Sequence, residues 1–272
     1  MDGRLVVVTG SSSGIGRGIV ELLAEAGADV AGIDRRDGSE TRELVGDKFT
    51  HHQADVSSPA DVARAFSEID AEYGRAPWGL VCCAGIFPIG SLLNYPVEQF
   101  DKVFAVNVRG VFLCVQEAGR RMRDAGGGRI VNIASTASVQ SWWRMAAYDS
   151  SKGAVAQFTR SAANELARFN ITVNAVGPGS INTGANGTLV DEEFAAAELA
   201  RTPIKRFGEP RDVAVAVRFF LQPEADWVTG QVLFVDGGFL ACGGPVLPRT
   251  KTRDANASEK SHHGSGMQPA EQ

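Results

Sequence analysis

The chain alternates between short, mostly apolar runs and longer segments whose apolar residues recur at helical spacing. The first run, residues 5–8, is fully apolar and rich in β-branched residues, which is typical of a strand buried on both faces. Further strands are predicted at residues 30–33, 49–54, 78–84, 129–134, 171–176 and 231–235, and the least apolar of them is 49–54, which contains His51 and His52. Because such strands need cover on both sides, the pattern predicts a parallel sheet with helices on both faces.

Helical segments separate these runs. Apolar residues at Ile15, Ile19 and Leu22 predict the first helix, and Gly27 ends it. Further helices are predicted to start at residue 58 and to cover residues 100–122, 146–169, 192–200 and 211–221. The Ala-rich helix at 192–200 is predicted to act as a mobile lid. The alternation predicts a single Rossmann-type, doubly wound α/β domain over residues 1–244, while the polar composition of residues 245–272 predicts a disordered tail.

Composition narrows the function classes. In 272 residues, 44% are hydrophobic and 22% charged, as in ordinary globular proteins, and the net charge of −5 gives no indication of a nucleic-acid partner. No apolar run is long enough to cross a membrane, and the start lacks the cations of a signal peptide. The four cysteines show no CxxC and no partner histidine. We therefore expect no disulfide framework, no metal site and a reducing, cytoplasmic compartment.

A glycine-rich turn, Thr9-Gly10-x3-Gly14-Ile15-Gly16, lies between the first strand and the first helix. Glycines let backbone approach a diphosphate, and the helix N-terminus offers unpaired amides to it. Asp34 ends the second strand 20 residues after Gly14, the distance at which a carboxylate accepts hydrogen bonds from ribose hydroxyls. These features predict a dinucleotide site. Asp34 would repel a 2′-phosphate, which favours NAD over NADP, although Arg35 and Arg36 could soften that preference.

The same turn also fits the G-x-S-x-G nucleophile elbow of a hydrolase, with Ser12 as the nucleophile. That alternative needs an acid and then a histidine later in the chain. The four histidines lie at 51, 52, 262 and 263, two early and two in the polar tail. The hydrolase is therefore disfavoured.

Tyr148 and Lys152 are the central candidate pair. Four positions apart on a predicted helix, they share one face, so that an ammonium can sit against a phenol. A free tyrosine has a pKa of about 10, and a neighbouring lysine together with a cationic cofactor ring would lower it. Ser135 and Asp55 follow strands, so the carboxyl ends of the sheet would bring them to one crevice. Asn107 lies on an apolar stretch, where the simplest interpretation is a satisfied core amide.

From residue 4 to about 240 the chain resembles the short-chain dehydrogenase/reductase family. The matching motifs occur in family order and at family spacing. They are Thr9-Gly10-x3-Gly14-Ile15-Gly16, Asp55-Val56, Ala84-Gly85, Asn107, Ser135, Tyr148-x3-Lys152, Pro178-Gly179 with Thr183, and Val235-Asp236-Gly237-Gly238.

The resemblance implies roles for the polar residues. Tyr148 would be the proton donor or acceptor, and Lys152 would lower its pKa while holding the nicotinamide ribose. Ser135 would hydrogen-bond the substrate oxygen, and Asn107 would fix a water in a proton relay from Lys152. The cofactor carries the hydride, so no metal is needed. The implied cofactor-binding residues are Gly10, Ser12, Ser13, Gly14, Ile15, Gly16, Asp34, Asp55, Val56, Ala84, Gly85, Tyr148, Lys152, Pro178, Gly179, Ile181 and Thr183.

Two departures from the family pattern and one absence refine this expectation. Cys82 and Cys83 stand where the family usually has asparagines, which removes side-chain amides near the adenosine end. Asp149 and Ser150 follow the tyrosine where small apolar residues are common. At Ser13 the basic residue that often accompanies NADP preference is missing.

The expected activity is NAD(H)-dependent interconversion of a secondary alcohol and a ketone, on a polyol, sugar acid or cyclic alcohol. Two alternatives stay open: a 3-ketoacyl-type ketoreductase using NADP(H), and a non-catalytic nucleotide-binding redox sensor. Trp142, Trp143 and Met145 either wall the substrate pocket or pack against another subunit. The resemblance also implies a homotetramer or homodimer formed through the two long helices.

Overall fold

The computed structural model of the protein describes residues 1–184 and 192–242. In this part of the chain seven strands form one sheet, and every pairing is parallel. The strands are β1 (Leu5–Thr9), β2 (Asp29–Asp34), β3 (Phe49–Gln53), β4 (Gly79–Cys82), β5 (Gly128–Ile133), β6 (Ile171–Pro178) and β7 (Val232–Val235). Their order across the sheet is β3-β2-β1-β4-β5-β6-β7.

Helices connect the strands. They are α1 (Gly14–Glu25), α2 (Ser39–Val45), α3 (Pro59–Tyr73), α4 (Val97–Phe104), α5 (Gly110–Asp124), α6 (Ala146–Leu166), α7 (Glu192–Arg201) and α8 (Pro210–Leu221). The predicted helix at 100–122 starts earlier, at Val97, and passes through a π-helical segment, Ala105–Arg109, between α4 and α5. The hydrophobic pattern did not predict α2, because Thr41 is its one buried residue.

Both faces of the sheet are covered. On one face α3, α5 and α6 contribute Phe66, Met122 and Val155 to the first core cluster. On the other face α1 and α8 contribute Leu23 and Leu221 to the second. Strands β1, β4, β5 and β6 are buried along their whole length, as two-sided cover requires. The predicted doubly wound Rossmann-type fold is therefore confirmed.

The strand order reverses at β1, which lies between β2 and β4. In an open α/β sheet the connections leave β1 and β4 in opposite directions at this point, and a crevice opens beyond their carboxyl ends. The glycine turn after β1 and the Ala84-Gly85 segment after β4 line this crevice. The topology thus places the predicted nucleotide-binding segments together.

None of the described helices is long and apolar enough to cross a membrane. The predicted disordered tail, residues 245–272, lies outside the described residues, as do residues 185–191.

Candidate active site

Two glycines shape the turn between β1 and α1. Gly10 and Gly14 have φ angles of +71° and +53°, a region that side chains disfavour. A Cβ on Gly10 would lie 2.8 Å from the backbone nitrogen of Ala84, and one on Gly14 would lie 3.2 Å from Cβ of Thr183. The turn therefore packs directly against the segment after β4 and faces the segment after β6.

The turn has the properties of a diphosphate site. Ser13 is the N-cap of α1, but its side chain makes no capping hydrogen bond. The hydroxyls of Ser11 and Ser12 are buried and have no hydrogen-bond partner. Buried hydroxyls without partners and uncapped helix amides both gain from an anion placed at this end of α1. The residues present thus fit the phosphates of a dinucleotide.

Asp34 adjoins the turn as predicted. Its carboxylate is buried and accepts hydrogen bonds from the backbone N–H of Ser12 at 3.0 Å and of Arg36 at 2.9 Å. Two guanidinium groups also reach the turn: Arg36 donates to the Ser13 hydroxyl at 3.4 Å, and Arg17 donates to the Ser12 carbonyl at 2.6 Å. Arg17 was not singled out from the sequence, because its helical position gave no signal that it folds back over the turn.

The ends of β1 and β4 are tied together by Thr9. Its hydroxyl accepts hydrogen bonds from the backbone N–H of Cys83 at 3.0 Å and of Ala84 at 3.1 Å. Burial raises the pKa of the Cys83 thiol to about 12, so the thiol is neutral at physiological pH. The residue that replaces a family asparagine is therefore an uncharged, weakly polar group facing the crevice.

Asp55 and Val56 follow β3, at the same edge of the sheet. The Asp55 carboxylate accepts hydrogen bonds from the N–H and the hydroxyl of Ser57, at 2.8 and 2.7 Å. Val56 packs against the helical backbone at Gly110, where an added Cβ would come within 2.9 Å of its methyl group. Both residues lie where the adenine end of a cofactor was predicted.

The segment after β6 lies across the crevice from the glycine turn. Pro178 ends β6, and the N–H of Gly179 donates to the carbonyl of Val235 at 3.0 Å. Ile181 is buried and forms an isolated bridge with Gly208. These contacts fix the backbone that was predicted to hold the nicotinamide.

Lys152 and Tyr148 lie on one face of α6, as their spacing predicted. Lys152 is only 5% exposed, and its Nζ donates to the carbonyl of Ile133 at 2.7 Å. Nζ also lies 5.7 Å from the centroid of the Tyr148 ring. Burial lowers the pKa of Lys152 to about 8. The ammonium is thus held beside the phenol by the carboxyl end of β5.

The acidity of Tyr148 differs from the sequence expectation. Burial raises the pKa of Tyr148 to about 12, and a hydrogen bond with Ser135 opposes that rise only in part. A neighbouring cation lowers the pKa of a phenol, whereas loss of solvent disfavours the phenolate and raises it. The spacing of Tyr148 and Lys152 indicates only the first effect. The protein's own groups therefore leave the phenol less acidic than a free tyrosine.

Asn107 lies in the π-helical segment and is 1% exposed. Its amide accepts from the N–H of Ile86 at 2.9 Å and donates to the Ile86 carbonyl at 2.9 Å and to the Ser151 hydroxyl at 3.0 Å. A Cβ on Gly85 would lie 3.4 Å from Oδ1 of Asn107 and 3.7 Å from Nζ of Lys152. The side chain is thus a satisfied amide that joins the loop after β4 to α6, next to Lys152.

Aromatic rings occur beside Tyr148 and on the loop before α6. Phe87 meets the Tyr148 ring edge-on, with centroids 6.2 Å apart. Trp142 stacks on Phe239, with centroids 5.5 Å apart and planes 10° apart, whereas Trp143 is 84% exposed. The contacts of Phe87 with Tyr148 and of Phe239 with Trp142 were not predicted from the sequence, because they arise only on folding.

The described residues contain no cluster of three or more histidine, cysteine or acidic side chains that could hold a metal ion.

Comparison with known proteins defines the class. A family profile described as Enoyl-(Acyl carrier protein) reductase matches residues 10–240. The chain is 38% identical over 246 residues to a 2-dehydro-3-deoxy-D-gluconate 5-dehydrogenase of Bacillus subtilis, covering 89% of this chain and 96% of that protein. It is 35% identical over 240 residues to a 3-oxoacyl-acyl-carrier-protein reductase of Vibrio cholerae, covering 88% and 98%.

A solved structure agrees. A short-chain type dehydrogenase/reductase from Mycobacterium ulcerans superimposes with a TM-score of 0.84 at 32% identity, covering 90% of this chain and 93% of that one. These relatives support an oxidoreductase that acts on CH–OH groups with a nicotinamide cofactor. The chain belongs to the short-chain dehydrogenase/reductase family.

Proposed function

We propose that the protein interconverts a secondary alcohol and a ketone with NAD(H), using Tyr148 as general acid and base. The observation that carries this proposal is the grouping of Tyr148, Lys152 and Ser135 at the carboxyl end of β5, across from a turn suited to a diphosphate. A nicotinamide cofactor held by the turn and the Pro178-Gly179 backbone would supply or accept the hydride.

The roles follow from the chemistry of the reacting oxygen. Negative charge develops on that oxygen as hydride adds to a ketone, and the Ser135 and Tyr148 hydroxyls stabilise it as it forms. In ketone reduction Tyr148 donates its proton to this oxygen. In alcohol oxidation the Tyr148 phenolate accepts the proton of the alcohol. Alcohol oxidation needs the Tyr148 phenolate, which burial disfavours. The ammonium of Lys152 stabilises this phenolate and thereby supports oxidation. Asn107 holds the loop after β4 beside Lys152, where we propose that it fixes a water of a proton relay.

The cofactor preference proposed is NAD over NADP. Asp34 presents a buried carboxylate at the edge of the turn, suited to a ribose diol and repulsive to a 2′-phosphate. Arg17 and Arg36 contact the same turn and favour the competing proposal, a ketoacyl-type reductase with NADP(H). The similarity to the Vibrio cholerae reductase supports this second candidate.

For the substrate we propose a polyol, sugar acid or cyclic alcohol. The similarity to the Bacillus subtilis protein supports a sugar acid. The Phe87 ring meets the tyrosine, the Trp142 ring stacks on Phe239, and the guanidinium of Arg144 lies 5.2 Å from the centre of the Trp143 ring. A pocket with apolar walls and a nearby cation suits a small anion that can adopt a cyclic form, such as a sugar acid.

Three further proposals concern the whole molecule. Residues 1–244 would form one catalytic domain, since the strands of the described part share one sheet. Exposed apolar side chains on α4 and α5, among them Val97, Phe100 and Phe112, suit a homotetramer or homodimer interface. We propose a cytoplasmic location because Cys82, Cys83 and Cys114 form no disulfide in the described part of the chain.

The test is a panel of sugar acids, polyols, cyclic alcohols and their ketones with NAD(H) and NADP(H) in parallel, following the absorbance of reduced nicotinamide. We expect turnover of at least one sugar acid or polyol, with higher kcat/KM for NAD. Tyr148→Phe should lower kcat about a thousandfold, because it removes the acid and base. NADH binding to this variant, measured by fluorescence titration, should be unchanged. NADH binding without turnover of any panel compound would favour the redox sensor instead.

A further inference from the structure

Asp149 makes a contact that the family pattern does not explain. It follows Tyr148 in the first turn of α6, at a position where small apolar residues are common. Its Oδ2 reaches back to accept a hydrogen bond from the backbone N–H of Trp142 at 2.8 Å. The carboxylate thus joins the helix that carries the tyrosine to the loop that precedes it.

The loop held by this contact carries Trp142, which was predicted from the sequence to wall the substrate pocket. The Trp142 ring stacks on Phe239, which is 3% exposed, and the guanidinium of Arg201 lies 4.4 Å from the centre of the Phe239 ring. Trp142 therefore connects the loop before α6 to the C-terminal segment and to α7. A shift of the Trp142 backbone would move this aromatic wall relative to the tyrosine.

The environment of Asp149 is not that of an ordinary acid at a helix N-terminus. Its Oδ1 is buried without a hydrogen-bond partner, and burial raises the pKa of its carboxyl, an effect opposed by the hydrogen bond from Trp142. Burying a carboxylate oxygen without a hydrogen-bond partner is costly. The hydrogen bond from the Trp142 N–H to the other oxygen offsets part of that cost, and it ties the loop to α6.

We propose that Asp149 is a positioning residue, which fixes the Trp142 loop against α6 and thereby sets the distance between the aromatic wall and the Tyr148 hydroxyl. This role rests on the proposed function of the same site. It assigns Asp149 no contact with the substrate or the cofactor. The residue acts through the Trp142 backbone.

The first measurement is independent of any substrate. Hydrogen–deuterium exchange of the wild type, Asp149→Ala and Asp149→Asn is compared on peptides that cover residues 139–147. We expect exchange in this loop to be about tenfold faster in Asp149→Ala, which loses the acceptor. Asp149→Asn should stay close to the wild type, since its amide oxygen still accepts from Trp142. Equal exchange in all three proteins would overturn the proposal.

The second measurement separates positioning from catalysis. With saturating cofactor and the panel compound of highest kcat/KM, Asp149→Ala should raise KM about tenfold and change kcat less than about threefold. Asp149→Asn should restore most of the lost affinity. Trp142→Ala should raise KM similarly, and the double variant should add little, because both changes remove the same wall. A fall in kcat alone, or additive effects, would contradict the proposal.

The two measurements also keep the proposals distinct. If the wild type turns over no compound of the panel, the proposed function fails, and the exchange data still decide whether Asp149 holds the loop. If the wild type is active but Asp149→Ala matches it in both exchange and KM, the positioning role alone fails.

Discussion

The charge of Lys152 offers the sharpest test of the catalytic arrangement. Lys152→Met removes the ammonium and leaves an unbranched chain in a buried position. Nζ lies 5.7 Å from the Tyr148 ring centroid, so at an effective dielectric constant of about 20 its attraction for the phenolate is about 3 kcal/mol. Since about 1.4 kcal/mol corresponds to one pKa unit, the variant should raise the pKa of Tyr148 by about two units.

The assay is the pH dependence of kcat for alcohol oxidation at saturating NAD. Oxidation needs the phenolate, so at neutral pH the variant should be about 100-fold slower than the wild type. Burial lowers the pKa of Lys152 to about 8, so its cation is present below that pH and is lost above it. The difference between variant and wild type should therefore narrow as the pH rises through this value.

Lys152→Arg is the matched control, because it keeps a cation that does not titrate in this range. The difference in kcat between Lys152→Arg and Lys152→Met should therefore not narrow at high pH. NADH affinity is measured for each variant, since Lys152 is also predicted to hold the nicotinamide ribose. A constant loss of kcat at every pH from about 6 to about 10 would refute the electrostatic argument and leave a steric defect as the cause.

Three other predictions test the glycine turn and helix α7. Asp34→Asn keeps an acceptor for the glycine turn but removes the charge, and it should raise the NADP:NAD ratio of kcat/KM by about tenfold or more. Gly10→Ala adds a Cβ that would lie 2.8 Å from the Ala84 nitrogen, and it should lower stability by about 3 kcal/mol and weaken NADH binding. Burial raises the pKa of the Glu198 carboxyl, so the folded protein favours the neutral acid. The free energy of unfolding therefore falls as the pH rises through the raised pKa, because the folded state must then hold a buried carboxylate. Glu198→Gln should therefore increase Tm more at about pH 8 than at about pH 5.

Each of these has a measurement that decides it. Steady-state kinetics with both cofactors test Asp34→Asn, and an unchanged ratio would show that Arg17 and Arg36 set the preference. Gly74→Ala is the control for Gly10→Ala, because Gly74 has a φ of +61° with nothing within 4 Å of the added Cβ and should cost only about 1 kcal/mol. Equal losses of Tm in the two variants would show that the contact with Ala84 has no effect. A pH-independent Tm difference for Glu198→Gln would contradict the burial argument.

The sequence pattern predicted all seven strands of the sheet. For β1 and β4 the signal was the apolar run that a strand covered on both faces requires. The edge strand β3, which contains His51 and His52, is only partly buried. The pattern missed α2, whose single buried residue, Thr41, gives no apolar stripe. It also missed the π-helical segment at Ala105–Arg109, since a change of helical register leaves the residues equally apolar. The hydrophobic pattern indicates which residues are buried. It does not indicate elements that bury few residues or that differ only in their backbone hydrogen bonding.

The candidate site divides in the same way. The sequence by itself determined the glycine turn, Asp34 at the end of β2, and the shared face of Tyr148 and Lys152, because each depends on local geometry along the chain. Only the tertiary structure decided that burial raises the pKa of Tyr148 and that Asp149 holds the Trp142 loop. Both the loss of solvent and the contacts between distant segments depend on which surfaces meet when the chain packs. The spacing of residues along the chain does not indicate either of them.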